Sequence, residues 1–216
     1  MKIKKNDFVE LNYTGKLKDE GIIFDTTDEK IAKENNIYNQ DGAYGSVIVC
    51  VGENHVIKGV DKSLVGREVS KYGIDIPSEE GFGKKDAKLV QLIQTNKFKK
   101  EGIHPVVGMH VNVDGIIGVI KSVSGGRTLI DFNHPLSGRD LHYDVEITRI
   151  VNDDYEKADA LLKMRLGKKA KTKLENNELN VEFPQELPDA VKEKLTENIK
   201  GLITSIKKVE FIKPQN

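Results

Sequence analysis

The 216-residue sequence contains a single cysteine and no excess of either charge. One cysteine rules out an internal disulfide, and the place of Cys50 in the apolar run SVIVCVG favours a small core residue over a redox role. The 34 Lys and Arg balance 34 Asp and Glu, which argues against a globally basic nucleic-acid binder and against a highly charged disordered chain. Any charged surface must therefore be local.

Long apolar segments are also absent. No run approaches the roughly 18 apolar residues that a membrane span requires. The polar start MKIKKNDFVE lacks the apolar centre of a secretory signal. We therefore expect a cytoplasmic protein that has no contact with membranes.

The motifs of several enzyme classes are missing. The sequence has no GxxxxGK[ST], GxSxG or HExxH, no paired CxxC and no EF-hand loop. Its histidines lack metal-ligand spacing, which favours polar surface or loop roles; they are His55, His104, His110, His134 and His142. We therefore expect neither a metal nor a cofactor.

Apolar periodicity in the first part of the chain indicates a half-buried sheet. Residues 8–17, FVELNYTGKL, alternate with period two, and the turn KDEG leads into IIFD, which predicts a β-hairpin. Residues 28–45 form a polar excursion with the short helix candidate EKIAKE, and SVIVCVG is the next strand. Apolar residues one turn apart predict a helix over 57–65, ended by Gly66. The alternation returns at 141–147 and is expected to pair with the first strands, so this domain is split.

The rest of the sequence predicts two further domains. The strand candidates MHVNV, IIGVIKSV and TLIDF are joined by Asp114-Gly115 and Gly125-Gly126, which are hairpin signals. From Asp153 the pattern runs helix, hairpin, helix and strand. The predicted fold class is α+β, with these domains: residues 1–86 plus 131–151, a β-rich insert at 87–130, and a small α+β C-terminal domain at 152–216.

Five sequence features occur along the chain in this order: Tyr13, FD at 24–25, VGENHVIKGVDKSLVG at 51–66, EGFG at 80–83 and YDVEI at 143–147. In this combination the chain resembles FKBP-type peptidyl-prolyl cis-trans isomerases. The insert resembles the insert-in-flap domain of SlyD-type members, and with the C-terminal domain the architecture is similar to the long archaeal class. The resemblance implies an antiparallel half-barrel sheet that packs on a short helix.

The resemblance also implies an isomerase pocket made of Tyr13, Phe24, Asp25, Val56, Ile57, Val60, Phe82 and Tyr143. In the family the start of the short helix faces this pocket, so the N–H of Ile57 is expected to receive a substrate carbonyl; the alternative is that Val56 and Ile57 only fill the core. Asp25 is expected at the rim or across the twisted carbonyl, with a local Asx turn within FDTT as its alternative. Family members commonly have Tyr at Phe82 and Trp at Val60, so we expect a shallower pocket that binds macrolides weakly.

The insert contains more apolar residues than one side of a small sheet buries comfortably. They are Val106, Val107, Met109, Val111, Ile116, Ile117, Val119 and Ile120. If some face outward, they provide a surface for unfolded chains; the alternative is a small core that uses them all. We expect an isomerase acting on unfolded or partly folded polypeptides with X–Pro bonds, with chaperone binding through the insert. The competing function is a non-catalytic holdase chaperone.

The tail has a basic run and two short apolar strands. The basic residues are Lys163, Arg165, Lys168, Lys169, Lys171 and Lys173, a set that could contact RNA or a ribosome. No aromatic residues are interleaved with them, and cations are favourable at the end of a helix, so we expect a solvated helix end and no nucleic-acid partner. The strands VEF and VEFI in so small a domain predict a homodimer through the C-terminal domain.

Overall fold

The computed structural model describes residues 1–167 and 170–212, which form two compact units. The first unit contains residues 1–75 and the described residues from 142 onward, and the second contains residues 76–141. The second unit thus extends beyond 87–130 at both ends. The three-domain division remains a prediction.

The described residues contain twelve strands and five α-helices. The strands are β1 (Phe8–Leu17), β2 (Ile23–Thr26), β3 (Val47–Cys50), β4 (Lys71–Ile76), β5 (Val90–Gln94), β6 (His110–Val113), β7 (Ile116–Ser124), β8 (Arg127–Asp131), β9 (Leu141–Val151), β10 (Lys171–Glu175), β11 (Glu178–Glu182) and β12 (Lys208–Ile212). The helices are α1 (Glu29–Glu34), α2 (Lys58–Leu64), α3 (Thr95–Lys100), α4 (Asp154–Leu166) and α5 (Asp189–Leu202). No helix among these residues is both long enough and apolar enough to cross a membrane.

The main sheet of the first unit is built around β1. The strand order is β2-β1-β9-β4, and β3 also pairs with β1. β3 pairs with residues 8–11 and β2 with residues 14–16, both antiparallel, so the polar excursion connects strands that lie on two halves of β1. The position of β9 beside β1 confirms that the returning alternation pairs with the first strands. The fold is α+β, as predicted.

The helix predicted over 57–65 is α2. Its N-cap residue is Ile57, and no side chain caps it. Val60 and Leu64 are buried at 1% and 0% exposure, which is the apolar face that the spacing indicated. Gly66 has φ +84°, a left-handed conformation that ends helices and that glycine adopts without strain.

The C-terminal elements share a hydrophobic cluster with the start of the first unit. β10 pairs antiparallel and β12 parallel with β11, and α5 provides the crossover that a parallel pair requires. Phe8 of β1 and Cys50 of β3 contribute to the cluster, as do these residues: Val151, Ala158, Leu161, Leu162, Leu179, Val181, Leu195, Ile199, Ile203 and Ile206. Cys50 is completely buried, which confirms its core role. Burial, supported by nearby carboxylates, raises the pKa of its thiol to about 12.

The second unit contains a four-stranded sheet in the order β5-β8-β7-β6. Every pair is antiparallel. The two hairpin turns predicted from the sequence are present, and Asp114, Gly115, Gly125 and Gly126 all have positive φ. The sequence did not indicate β5 or α3. VQLIQ has no clear alternation, and α3 has only six residues, anchored by the buried Phe98.

The burial of the insert residues corrects part of the predicted client-binding set. Val111 and Ile120 are 5% and 0% exposed and lie in the core with Phe98, so a chain at the surface cannot reach them. Met109 and Val119 are partly buried. The remaining four are between 56% and 67% exposed; they are Val106, Val107, Ile116 and Ile117.

Candidate functional site

Three aromatic rings from different strands meet in the first unit. Tyr13 lies on β1, Phe24 on β2 and Tyr143 on β9. The ring centroid of Tyr143 is 5.8 Å from that of Tyr13, with the planes at 52°, and 5.9 Å from that of Phe24, with the planes at 79°. These are the tilted and edge-to-face arrangements that aromatic pairs prefer. Pairing of β1 with both β2 and β9 thus unites residues that are far apart in the sequence.

Gly15 provides the space for this ring cluster. A Cβ atom on Gly15 would lie 2.7 Å from Cζ of Tyr143 and 3.1 Å from Cζ of Phe24, closer than carbon atoms pack. The residue also lies at a register shift between β1 and β2. This role was not predicted from the sequence, although a glycine inside an alternating strand is a signal of close approach.

Asp25 is the charged group at the cluster. Its carboxylate accepts hydrogen bonds from the Tyr13 hydroxyl and from the backbone N–H of Thr26. Burial raises the pKa of Asp25, and the two hydrogen bonds oppose that rise. Burial also raises the pKa of Tyr13 and of Tyr143, and the negative charge of Asp25 adds to both shifts. Asp25 is therefore more than a local turn residue, since it binds a side chain of the neighbouring strand.

The two threonines of FDTT fix the backbone of Tyr13. The N–H of Tyr13 donates to Oγ1 of Thr27 at 3.0 Å, and its carbonyl accepts from the N–H of Thr27 at 3.0 Å. Oγ1 of Thr26 donates to the same carbonyl at 3.2 Å. Both threonines are buried, at 7% and 4% exposure. These hydroxyl contacts were not predicted from the sequence.

A buried carboxylate positions the segment before α2. Asp61 is 3% exposed, and its oxygens accept from the N–H of Gly52 at 3.0 Å and from that of Asn54 at 3.3 Å. Nδ1 of His55 accepts from the N–H of Cys50 at 3.1 Å. Burial lowers the pKa of His55, helped by the charge of Arg165, so the ring is held in the neutral form that can accept this bond.

The predicted pocket residues fall into three groups. Tyr13, Phe24, Asp25 and Tyr143 form the contacts given above. Val56 and Ile57 lie partly buried at the start of α2, and Val60 is buried on that helix. Phe82 belongs to the second unit, where its ring stacks on His134 with centroids 4.4 Å apart.

Two other expectations, on metal binding and on the basic run, concern residues outside this site. In residues 1–167 and 170–212, no three or more His, Cys, Asp or Glu are grouped so as to hold a metal. In the basic run, Lys163 pairs with Asp159 at 2.6 Å and Lys173 with Glu175 at 2.9 Å. Lys168 and Lys169 lie outside the described residues.

Comparisons with known proteins identify the family. Residues 91–136 match the family described as FKBP26, IF domain. The short-type peptidyl-prolyl cis-trans isomerase of Methanocaldococcus jannaschii is 34% identical over 146 residues, which cover 67% of this chain and 92% of that protein. The FKBP-type peptidyl-prolyl cis-trans isomerase SlyD of Haemophilus influenzae is 31% identical over 153 residues, or 68% of this chain and 72% of that protein.

The chain therefore belongs to the FKBP-type peptidyl-prolyl cis-trans isomerases. It is an isomerase with an insert-in-flap domain, as the sequence motifs indicated. Polypeptides are the substrates of this enzyme class. The alternative of a non-catalytic holdase is wrong.

Proposed function

We propose that the cluster of Tyr13, Phe24 and Tyr143 forms the walls of the proline pocket, with Val60 from α2. The observation that carries this proposal is the meeting of the three rings beside Asp25. The uncapped start of α2 supports it, because the first N–H groups of a helix have no partner within the helix. The N–H of Ile57 is then free to position a substrate carbonyl, and Val56 borders the same point.

The reaction needs no nucleophile. Rotation about an X–Pro bond crosses a barrier of roughly 20 kcal/mol, because the planar amide loses its resonance when it is twisted. The planar form is the more charge-separated one. An apolar wall therefore solvates the planar amide less well than water does, while it accommodates the twisted form. Each ~1.4 kcal/mol gained in this way accelerates the rotation tenfold.

Asp25 supplies the polar contact that selects the twisted geometry. Its carboxylate is fixed by Tyr13 and Thr26, so it does not need to reorganise when the substrate carbonyl turns. Proton transfer is not part of this role. We therefore expect the isomerase rate to vary little between about pH 6 and 8, whereas an acid–base mechanism would show a bell-shaped profile.

The pocket assignment is tested by removing one wall. Phe24→Ala should lower kcat/KM on a proline tetrapeptide by roughly ten- to a hundredfold, since the burial of one aromatic side chain is worth about 1.5–3 kcal/mol. The matched control is Tyr38→Ala. Tyr38 is 42% exposed and stacks on Tyr44, away from the three rings, so its loss should leave the rate unchanged. Equal rates for both folded variants would refute the assignment.

We also propose that the insert binds unfolded chains through its exposed apolar side chains. Val106, Val107, Ile116 and Ile117 support this proposal because over half of each side chain is exposed. Large exposed apolar surface marks interaction sites. Binding of a client there raises the effective concentration of its X–Pro bonds at the isomerase site without changing the chemical barrier.

Replacing residues 90–131 with a short glycine-containing loop tests this second role. The N–H of Phe132 donates to the carbonyl of Leu89 at 2.9 Å, so the two ends are already adjacent. The shortened chain should keep its activity on a tetrapeptide, which is too short to reach a second site, and lose much of its activity in proline-limited refolding of a protein. A cooperative unfolding transition provides the folding control. Unchanged refolding activity would show that the insert is only structural.

A further inference from the structure

The sheet of the second unit has two faces that strand alternation and register define. Side chains at positions 111, 120, 128 and 130 point toward α3 and the core; Phe98, Val111, Ile120 and Ile130 form its buried cluster. The opposite face consists of the alternate positions, and we call it the outer face. Its members are Val90, Leu92, Gln94, His110, Asn112, Ile117, Val119, Ser122, Ser124, Arg127, Leu129 and Asp131.

The apolar members of the outer face adjoin one another. Leu92 lies opposite Leu129 on the next strand. Val119 lies opposite Asp131, which in turn lies opposite Val90. Ile117 lies two residues before Val119, on the same side of β7. Leu92 and Ile117 are 60% and 65% exposed, and Val90 is 36% exposed. Side chains opposite each other on paired strands lie about 5 Å apart and diagonal ones about 7–8 Å, so Leu129 lies within reach of Val90, Leu92 and Val119. Together with Ile117 these residues form an apolar patch around Asp131.

The inserted segment is positively charged, although the whole chain is neutral. Residues 87–130 contain six Lys or Arg against two acidic residues, Glu101 and Asp114. Three of the basic residues lie on α3 at the inner face, and neither acidic residue belongs to the outer face. Arg127 belongs to it, and within residues 1–167 and 170–212 Arg127 forms no ion pair. Lys121 occupies the register shift of β7 beside this face.

The one carboxylate on the outer face is already compensated. Asp131 is 8% exposed and accepts hydrogen bonds from both the backbone and the side-chain N–H groups of Asn133. Nζ of Lys85 lies 3.6 Å from it. Burial alone would raise the pKa of Asp131, but the Asn133 bonds and the charges of Lys85 and Lys121 lower it overall. The charge left for a ligand to meet is therefore that of Arg127.

We propose that the outer face binds unfolded polypeptide segments in which apolar residues adjoin Asp or Glu, and that it disfavours segments flanked by Lys or Arg. This selectivity rests on the proposed binding of unfolded chains by the insert. Burial of apolar side chains supplies the attraction. The charge of Arg127 then discriminates, because an acidic flank gains a partner and a basic flank meets like charge.

Three fluorescent peptides test the selectivity on the full chain. They share one apolar centre without proline and differ in their flanks, which are Glu, Gln or Lys. Anisotropy titrations should give the affinity order Glu, Gln, Lys. An exposed ion pair changes affinity by only about two- to fivefold at low salt, and the differences should shrink as salt approaches 1 M, where the screening length falls to about 3 Å.

Two charge reversals locate the effect. Arg127→Glu should reduce the ratio of Glu-flanked to Lys-flanked affinity by roughly threefold or more. Lys97→Glu makes the same change in net charge on α3, which covers the inner face, and should leave the ratio near that of the unaltered protein. A ratio that responds equally to both variants would overturn the placement on the outer face, because net charge would then explain it.

The outcomes separate this inference from the proposed chain binding. If the three peptides bind with equal affinity, the acidic selectivity is wrong while binding by the insert stands. If none of them binds, the proposed chain binding fails, and the inference fails with it. Thermal unfolding of both variants checks that each keeps the stability of the unaltered protein.

Discussion

Gly15→Ala is a minimal change that reaches the ring cluster. The added Cβ would lie 2.7 Å from Cζ and 2.8 Å from Cε1 of Tyr143. Ordinary carbon contacts begin near 3.4 Å, so the ring must retreat by roughly 0.7 Å. Tyr143 is only 4% exposed, which leaves it little room to move. Overpacking of this kind costs about 1–3 kcal/mol of stability.

Gly15→Ala should lower catalysis as well as stability. A displacement on the order of 1 Å in a positioned group can cost up to a hundredfold in rate. We expect kcat/KM on a proline tetrapeptide to fall by roughly ten- to a hundredfold in a protein that remains folded at the assay temperature. Measurement of the rate together with the unfolding free energy distinguishes pocket distortion from loss of folded protein.

Gly118→Ala is the matched control for this substitution. Gly118 is also a strand glycine, and a Cβ there would lie 2.6 Å from Cγ2 of Ile130 and from Cδ1 of Phe132. That crowding lies within the second unit, so it should lower stability without changing the isomerase rate on a tetrapeptide. If Gly15→Ala keeps full activity while folded, the proposal that Tyr143 and Phe24 wall the pocket is refuted.

Three further predictions concern stability and assembly. Asp61→Asn should lower the free energy of unfolding by about 1–3 kcal/mol, measured by urea denaturation. The carboxylate of Asp61 accepts hydrogen bonds from the backbone N–H groups of Gly52 and Asn54, and the NH2 group that replaces one of its oxygens cannot accept them. The pKa of the Cys50 thiol is raised to about 12, so the protonated thiol contributes stability that is present below about pH 9 and is lost as the pH rises toward 12. Melting temperatures measured across that range test this, and a melting temperature that does not change with pH would contradict it. The chain should sediment as a homodimer. Met164 is 40% exposed on α4, and Met164→Glu should shift the protein toward the monomer. If the unaltered chain sediments as a monomer, this prediction is wrong.

Elements specified by local pattern could be predicted from the sequence. The hairpin of β1 and β2 follows from period-two alternation and a turn, and α2 follows from its apolar spacing and Gly66. The insert hairpins follow from Asp114-Gly115 and Gly125-Gly126. Strand β5 could not be found in this way, because its identity depends on pairing with β8, more than thirty residues away.

The site could be predicted only where a motif marks it. The sequence motifs predicted four of its residues, which are Tyr13, Phe24, Asp25 and Tyr143. The supporting contacts were not predicted, since Asp61 reads from the sequence as an ordinary helical carboxylate. Its burial depends on the fold of residues 52–54 around it. Among the insert residues, composition could not separate the buried Ile120 from the exposed Ile117; alternation within β7 and the position of α3 decide that difference.

The place of the insertion is consistent with the proposal that the insert adds client binding to the isomerase domain. The chain leaves the first unit at the end of β4 and returns at the start of β9, and these two strands are neighbours in the sheet. Asp75 and His142, at the two crossing points, are joined by a contact of 2.6 Å between Oδ1 and Nδ1. Because the ends of the inserted segment are held together by the sheet itself, lengthening that segment costs only a slowly growing loop entropy. Tyr143 follows His142 directly, so the same contact helps to fix the start of the strand that carries the central ring of the cluster.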